Sequence, residues 1–72
     1  MEVFSERIKS LRAERGLSQK EIANSIGISE SAYQRYEQPT REPTLGKIIK
    51  IADYYDVSTD FLLGLSDDPT RR

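Results

Sequence analysis

Apolar residues recur along this chain at helical spacing, in five short groups separated by glycines, prolines and hydroxyl-bearing residues. Phe4, Ile8 and Leu11 fall at i, i+4 and i+7, which predicts a first amphipathic helix from about Ser5, its candidate N-cap, to Arg15, stopped by Gly16. Ser18-Gln19-Lys20-Glu21 reads as a capping box, in which Ser18 and Glu21 satisfy each other's orphan backbone donors. Ile22, Ala23 and Ile26 then form the stripe of a short helix ending at Gly27, and Ser29 is the next N-cap. On a helical wheel drawn from Ser29 to Gln38, Ser29, Tyr33 and Tyr36 cluster on one side and Ser31, Gln34, Arg35 and Gln38 on the other. Gln38-Pro39-Thr40-Arg41-Glu42-Pro43 reads as a loop, because each proline removes a donor and biases its predecessor toward extended backbone. Thr44 caps a fourth helix with Leu45, Ile48, Ile49, Ala52 and Tyr55 expected on one face, and Ser58 caps a fifth through Leu63, stopped by Gly64. The polar stretch from Ser66 to Arg72 reads as a frayed tail or the start of a linker, giving a domain over 1–65 and a tail over 66–72.

No strand alternation, repeat or low-complexity tract interrupts these groups, so the expected fold is all-α and compact. Five short helices are too brief for a long coiled coil or most up-and-down four-helix bundles. Composition narrows the chemistry. With 72 residues, 36% hydrophobic and 32% charged, the chain has the makings of one small globular domain of modest stability. The absence of Cys and His removes disulfides, thiolate zinc sites and imidazole catalysis, and no metal or cofactor is expected. No apolar run suits a signal peptide or membrane span, so a cytoplasmic protein is expected. Eleven Lys and Arg stand against twelve Asp and Glu, so gross charge does not announce nucleic-acid binding.

The second and third groups carry more specific information. A small residue, Ala23, sits where two helices would approach closely, and Gly27 sits where a tight turn needs positive φ. Apolar or aromatic residues occupy Ile22, Ile26, Ile28, Tyr33 and Tyr36, the pattern of a helix-turn-helix. From residue 4 to 65 the chain resembles the lambda-repressor-like helix-turn-helix regulators, which include phage repressors and the prokaryotic xenobiotic-response-element group. The carriers are Ile8-Lys9-Ser10-Leu11-Arg12, Gly16-Leu17-Ser18-Gln19-Lys20-Glu21-Ile22-Ala23, Ile28-Ser29, Tyr33-Gln34-Arg35-Tyr36-Glu37, Arg41-Glu42-Pro43-Thr44-Leu45 and Asp56-Val57-Ser58-Thr59-Asp60-Phe61-Leu62-Leu63-Gly64. Each is weak alone; all in order at family spacing are a strong signal.

The resemblance implies a sequence-specific regulator of transcription, a repressor that docks its third helix in the major groove of duplex DNA. Arg35 is then the leading base reader, since a guanidinium can pair with guanine O6 and N7 at once. Gln34 could address adenine, Ser31 is short and permissive, and Glu30 could accept from cytosine or repel phosphate. Contacts to the DNA backbone are expected from Ser18, Gln19, Lys20, Gln38 and Arg41 together with the free amides opening the second helix. The resemblance also implies a largely buried structural ion pair between Arg12 and Glu37. Where the family commonly has Gly or Asn followed by a basic residue, this chain has Gln38-Pro39-Thr40, and Pro39 lacks an amide often used on phosphate.

Phe61, Leu62, Leu63 and Leu65 cannot all point inward from one helical turn, so Phe61 and Leu65 are expected at a two-fold dimer seam. A homodimer would set two recognition helices about 34 Å apart on a near-palindrome. The rival reading is a protein-interaction module, such as an antirepressor or antitoxin-like partner, that kept the fold and lost the DNA. The acidic pI near 5.4, Glu30 and Pro39 favour it. Residues 1–43 hold seven basic and seven acidic side chains, so placement rather than net charge has to decide. An enzyme is the weakest alternative, because Asp53, Asp56 and Asp60 fall at helix-surface and capping positions. No small-molecule ligand is evident.

Overall fold

The computed structural model describes residues 1–71, which form five helices in the order α1 (Glu2–Glu14), α2 (Gln19–Ile26), α3 (Glu30–Tyr36), α4 (Leu45–Tyr55) and α5 (Thr59–Leu63). Four of the five starts are chemically alike, while α1 opens at Met1 with no side-chain cap. Ser18, Ser29, Thr44 and Ser58 each accept a hydrogen bond from the amide three residues on, and Ser18 also receives the full capping box from Glu21. Three of the helices, α2, α4 and α5, end on left-handed caps: Gly27 at φ 77°, Gly64 at φ 80° and, unusually for a residue with a Cβ, Asp56 at φ 56°.

The core gathers Phe4 and Ile8 from α1, Ile22, Ala23 and Ile26 from α2, Tyr33 from α3, Ile48, Ile51, Ala52 and Tyr55 from α4, with Val57 and Leu62 closing it. α2 packs on α3 and α4, while α5 packs on α1 and α4. Ala23 is fully buried between helices, as its small size suits. The helix-turn-helix is therefore braced from behind by α4.

Three expectations need correction. Ser5 is not the N-cap of α1: the helix begins three residues earlier, and Ser5 is buried inside it with its hydroxyl donating to the Glu2 carbonyl at 2.9 Å. In α4 the inward face is Ile48, Ile51, Ala52 and Tyr55, whereas Leu45 (70% exposed) and Ile49 (44%) face out. Gln38 lies beyond α3, in the loop that follows its cap Glu37.

The tail also departs from a frayed end. Arg7 donates to the carbonyls of Phe61 (2.5 Å) and Ser66 (2.6 Å), pairs with Asp67 at 2.7 Å, and lies 4.2 Å from the centre of the Phe61 ring. The Ser58 amide donates to the Pro69 carbonyl at 3.0 Å, and Arg71 pairs with Asp53 at 2.5 Å. Residues 66–71 thus turn back along α5 toward the end of α4. Arg72, the last residue of the expected tail, lies outside the described residues. No described helix is long and apolar enough to cross a membrane.

Candidate nucleic-acid interface

α2 and α3 are joined by Gly27-Ile28-Ser29. Gly27 takes the left-handed conformation that lets the chain reverse, and the Ile28 amide closes the turn on the Ala23 carbonyl at 3.0 Å. Tyr33 pins α3 inward with no exposed surface, which leaves the opposite side of this seven-residue helix to solvent. Glu30, Ser31, Gln34 and Arg35 are all exposed there. Ser31 lies within 3.3 Å of the capping hydroxyl of Ser29.

Behind that surface lies a buried polar knot. The Arg12 guanidinium meets Glu37 at both carboxylate oxygens, Nε to Oε2 at 2.7 Å and NH2 to Oε1 at 3.1 Å, and its third contact is the Leu17 carbonyl at 3.1 Å. Glu37 is 5% exposed and Arg12 24%. The Gln19 amide also donates to Glu37, at 3.1 Å. Burial pushes the Glu37 carboxyl up, but the contacts of Arg12, the Tyr33 phenol and Gln19 with it outweigh this and hold the group below the ordinary glutamate value. The same contact to Glu37 holds the Arg12 guanidinium above its ordinary value. One acid therefore ties together the end of α1, the start of α2 and the exit of α3.

The two core tyrosines border this knot. Neither the Tyr33 nor the Tyr55 hydroxyl finds a partner at hydrogen-bond geometry. Burial first, then the Glu37 carboxylate, pushes the Tyr33 phenol far up, and burial pushes Tyr55 up to about 12.

At the start of α2 the capping box occupies two amides: the Ser18 amide donates to Glu21 Oε1 at 2.9 Å and the Glu21 amide to Ser18 Oγ at 3.0 Å. The contact with Ser18 holds the Glu21 carboxyl below its ordinary value. The amides of Gln19 and Lys20 have no helical acceptor and open outward at the positive end of the helix dipole. Lys20 is exposed beside them, while Gln19 is half-buried by its bond to Glu37.

The arginines divide sharply. Arg7, Arg12 and Arg71 form ion pairs, and Arg15 donates to the Tyr55 carbonyl at 2.9 Å while lying over that ring. Among the described arginines, only Arg35 and Arg41 have side chains that make no hydrogen bond, ion pair or ring contact. Those two share one shallow cleft of about 220 Å³ at the exit of α3, lined also by Ala32, Tyr36 and Glu42. Composition gave no hint of this partition, which depends on which guanidiniums find carboxylates and carbonyls distant in sequence. Gln38 is exposed in the same loop; its amide donates to the Arg35 carbonyl at 3.1 Å, and its own carbonyl accepts from the Arg41 amide at 3.1 Å.

Of the expected seam, Leu65 is 75% exposed, but Phe61 is half-buried with Arg7 against its ring. Leu62 is fully buried and Leu63 partly so. Val3, 43% exposed, lies against Gly64 and adds to the apolar surface around Leu65. No group of three or more described carboxylates could hold a metal ion, and Asp53 and Asp56 are engaged by Arg71.

A helix-turn-helix family model matches residues 8–62. The chain is 40% identical over 67 residues to the uncharacterized HTH-type transcriptional regulator YobD of Bacillus subtilis, covering 93% of this chain and 60% of that protein. It is 44% identical over 55 residues to the cryptic phage CTXphi transcriptional repressor RstR of Vibrio cholerae, covering 76% and 50%. To the HTH-type transcriptional regulator ImmR of Bacillus subtilis it is 37% identical over 61 residues, covering 85% and 48%. The chain spans about half to three-fifths of the length of these curated relatives. With two helices meeting across a left-handed glycine, the polar face of α3 turned out and a family match through all five helices, the chain belongs to the helix-turn-helix family.

Proposed function

We propose that this chain is the DNA-binding domain of a transcriptional regulator, a repressor that reads duplex DNA with α3 and acts as a homodimer on a near-palindromic site. The observation that carries this reading is the pair of uncommitted guanidiniums, Arg35 and Arg41, at the exit of α3. A protein that spends its other described arginines on its own structure and holds these two free beside an exposed polar helix is built to meet an anion. The names of its relatives, regulators and a phage repressor, agree. In this reading Glu30, Ser31, Gln34 and Arg35 face base edges, while Lys20, Arg41 and the open amides of α2 take phosphates. The exposed patch of Leu65 and Val3 supplies the two-fold seam, with Phe61 held under it by Arg7.

Selection of bound duplexes from random sequence, followed by titration at two salt concentrations, tests it. Arg41→Ala should weaken all duplexes alike and reduce the salt slope by about one. Arg35→Ala should cost about 1–3 kcal/mol on the selected site and relax one position in it. Leu65→Glu should shift the protein to monomer in sedimentation and weaken binding to the palindrome more than to a half-site. Salt-independent or undetectable binding to every duplex would favour the protein-interaction module instead.

A further inference from the structure

The cleft at the exit of α3 holds a carboxylate as well as two guanidiniums. Glu42 lines it with Arg35 and Arg41, yet among the described residues Glu42 forms no ion pair with either. Both side chains are exposed, so a donor fork and an acceptor are held on one small surface without cancelling each other. That combination has a specific complement. In the major groove a G·C pair offers two acceptors, guanine O6 and N7, and beside them one donor, the cytosine N4 amino group. An A·T pair reverses part of this, offering the adenine N6 donor where Arg35 needs an acceptor and thymine O4 where Glu42 needs a donor.

We propose that Arg35 and Glu42 together specify one G·C pair, Arg35 donating to guanine O6 and N7 and Glu42 accepting from N4 of the cytosine opposite. This rests on the DNA-binding reading above. Arg41, adjacent in the chain, neutralises the nearby phosphate and so offsets the repulsion between that phosphate and the Glu42 carboxylate. Glu42 thereby becomes a specificity-determining residue from a loop that sequence reasoning assigned to backbone contacts alone.

The test is a scan of the selected duplex with two modified bases against the wild type, Arg35→Ala and Glu42→Ala, each variant first checked for native helicity by circular dichroism. 7-Deazaguanine removes N7, and N4-methylcytosine replaces the groove-facing amino hydrogen. At one base pair each modification should weaken wild-type binding by about 5- to 150-fold. Arg35→Ala should be insensitive to 7-deazaguanine there, and Glu42→Ala, which has no side-chain acceptor, insensitive to N4-methylcytosine at that same pair. Two other results overturn the proposal. One is Glu42→Ala tightening every duplex equally while the wild type ignores N4-methylation, which would make Glu42 a phosphate repellent only. The other is sensitivity to the two modifications at different base pairs. Failure of the wild type to bind any duplex would remove the DNA-binding reading itself.

Discussion

Replacing Arg12 with Met removes the cation that faces Glu37 and leaves a carboxylate with 5% exposure, held by the Gln19 side-chain amide and beside the Tyr33 phenol, with no cation opposite it. Breaking a buried pair from one side costs roughly 3–5 kcal/mol, because the surviving charge is stranded. Arg12 itself is 24% exposed, so part of its charge is already screened, and the lower end, about 3 kcal/mol, is expected. At about 0.05–0.15 kcal/mol per residue, a chain of 72 residues has about 4–11 kcal/mol in hand, so this variant should be marginally folded. Glu37→Leu should be milder, since its stranded Arg12 can turn toward water and keeps the Leu17 carbonyl. The double variant should recover much of the loss of Arg12→Met, because the cost lies in the unpaired carboxylate. Urea unfolding followed by helical circular dichroism gives all three values. A double variant no more stable than Arg12→Met would refute the stranded-charge argument and point to lost packing of the arginine stem.

Glu37 also sets an acid limit. Its folded-state pKa is depressed, so the unfolded chain takes up the proton first; the stabilisation is complete above the ordinary glutamate pKa of about 4.3 and is lost as pH falls below it toward the folded value. Urea midpoints measured from pH 7 to 3 should therefore drop more steeply for the wild type than for Glu37→Gln over that acidic interval; parallel profiles would assign the acid sensitivity elsewhere. Gly64→Ala should destabilise more than Gly27→Ala, because both positions have positive φ, costing roughly 1–2 kcal/mol for a residue with Cβ, but only at Gly64 would that Cβ come within 2.8 Å of Val3. Equal melting temperatures for the two variants would show that Val3 moves aside freely.

The helix starts were legible because their signals are local. A hydroxyl three residues ahead of its amide partner is visible in the sequence, and Ser18, Ser29, Thr44 and Ser58 all cap where they were read. The start of α1 was not, since Met1 offers no capping side chain and the buried Ser5 imitates one. The outward turn of Leu45 and Ile49 was hidden by the crowding of apolar residues in α4, where Ile48, Ile49 and Ile51 allow more than one stripe. The contacts of Arg7 with Phe61, Ser66 and Asp67 join residues at opposite ends of the chain, and no periodicity encodes such a meeting. For the same reason the sequence could nominate Arg35 and Arg41 as DNA contacts but could not reveal that they share a cleft with Glu42.

The four hydroxyl caps have a consequence for how the domain comes into being. Each closes a ring of only a few residues, so each can form and break in the unfolded chain at little cost in loop entropy. The places where four rods begin are thus marked before distant parts of the chain have met, and tertiary assembly has only to dock short rods whose ends are already chosen. That places the domain among local-contact folds, which assemble on the order of microseconds to milliseconds. The slower events left over are the distant ones, above all the meeting of Arg12 with Glu37 and of Arg7 with the returning tail.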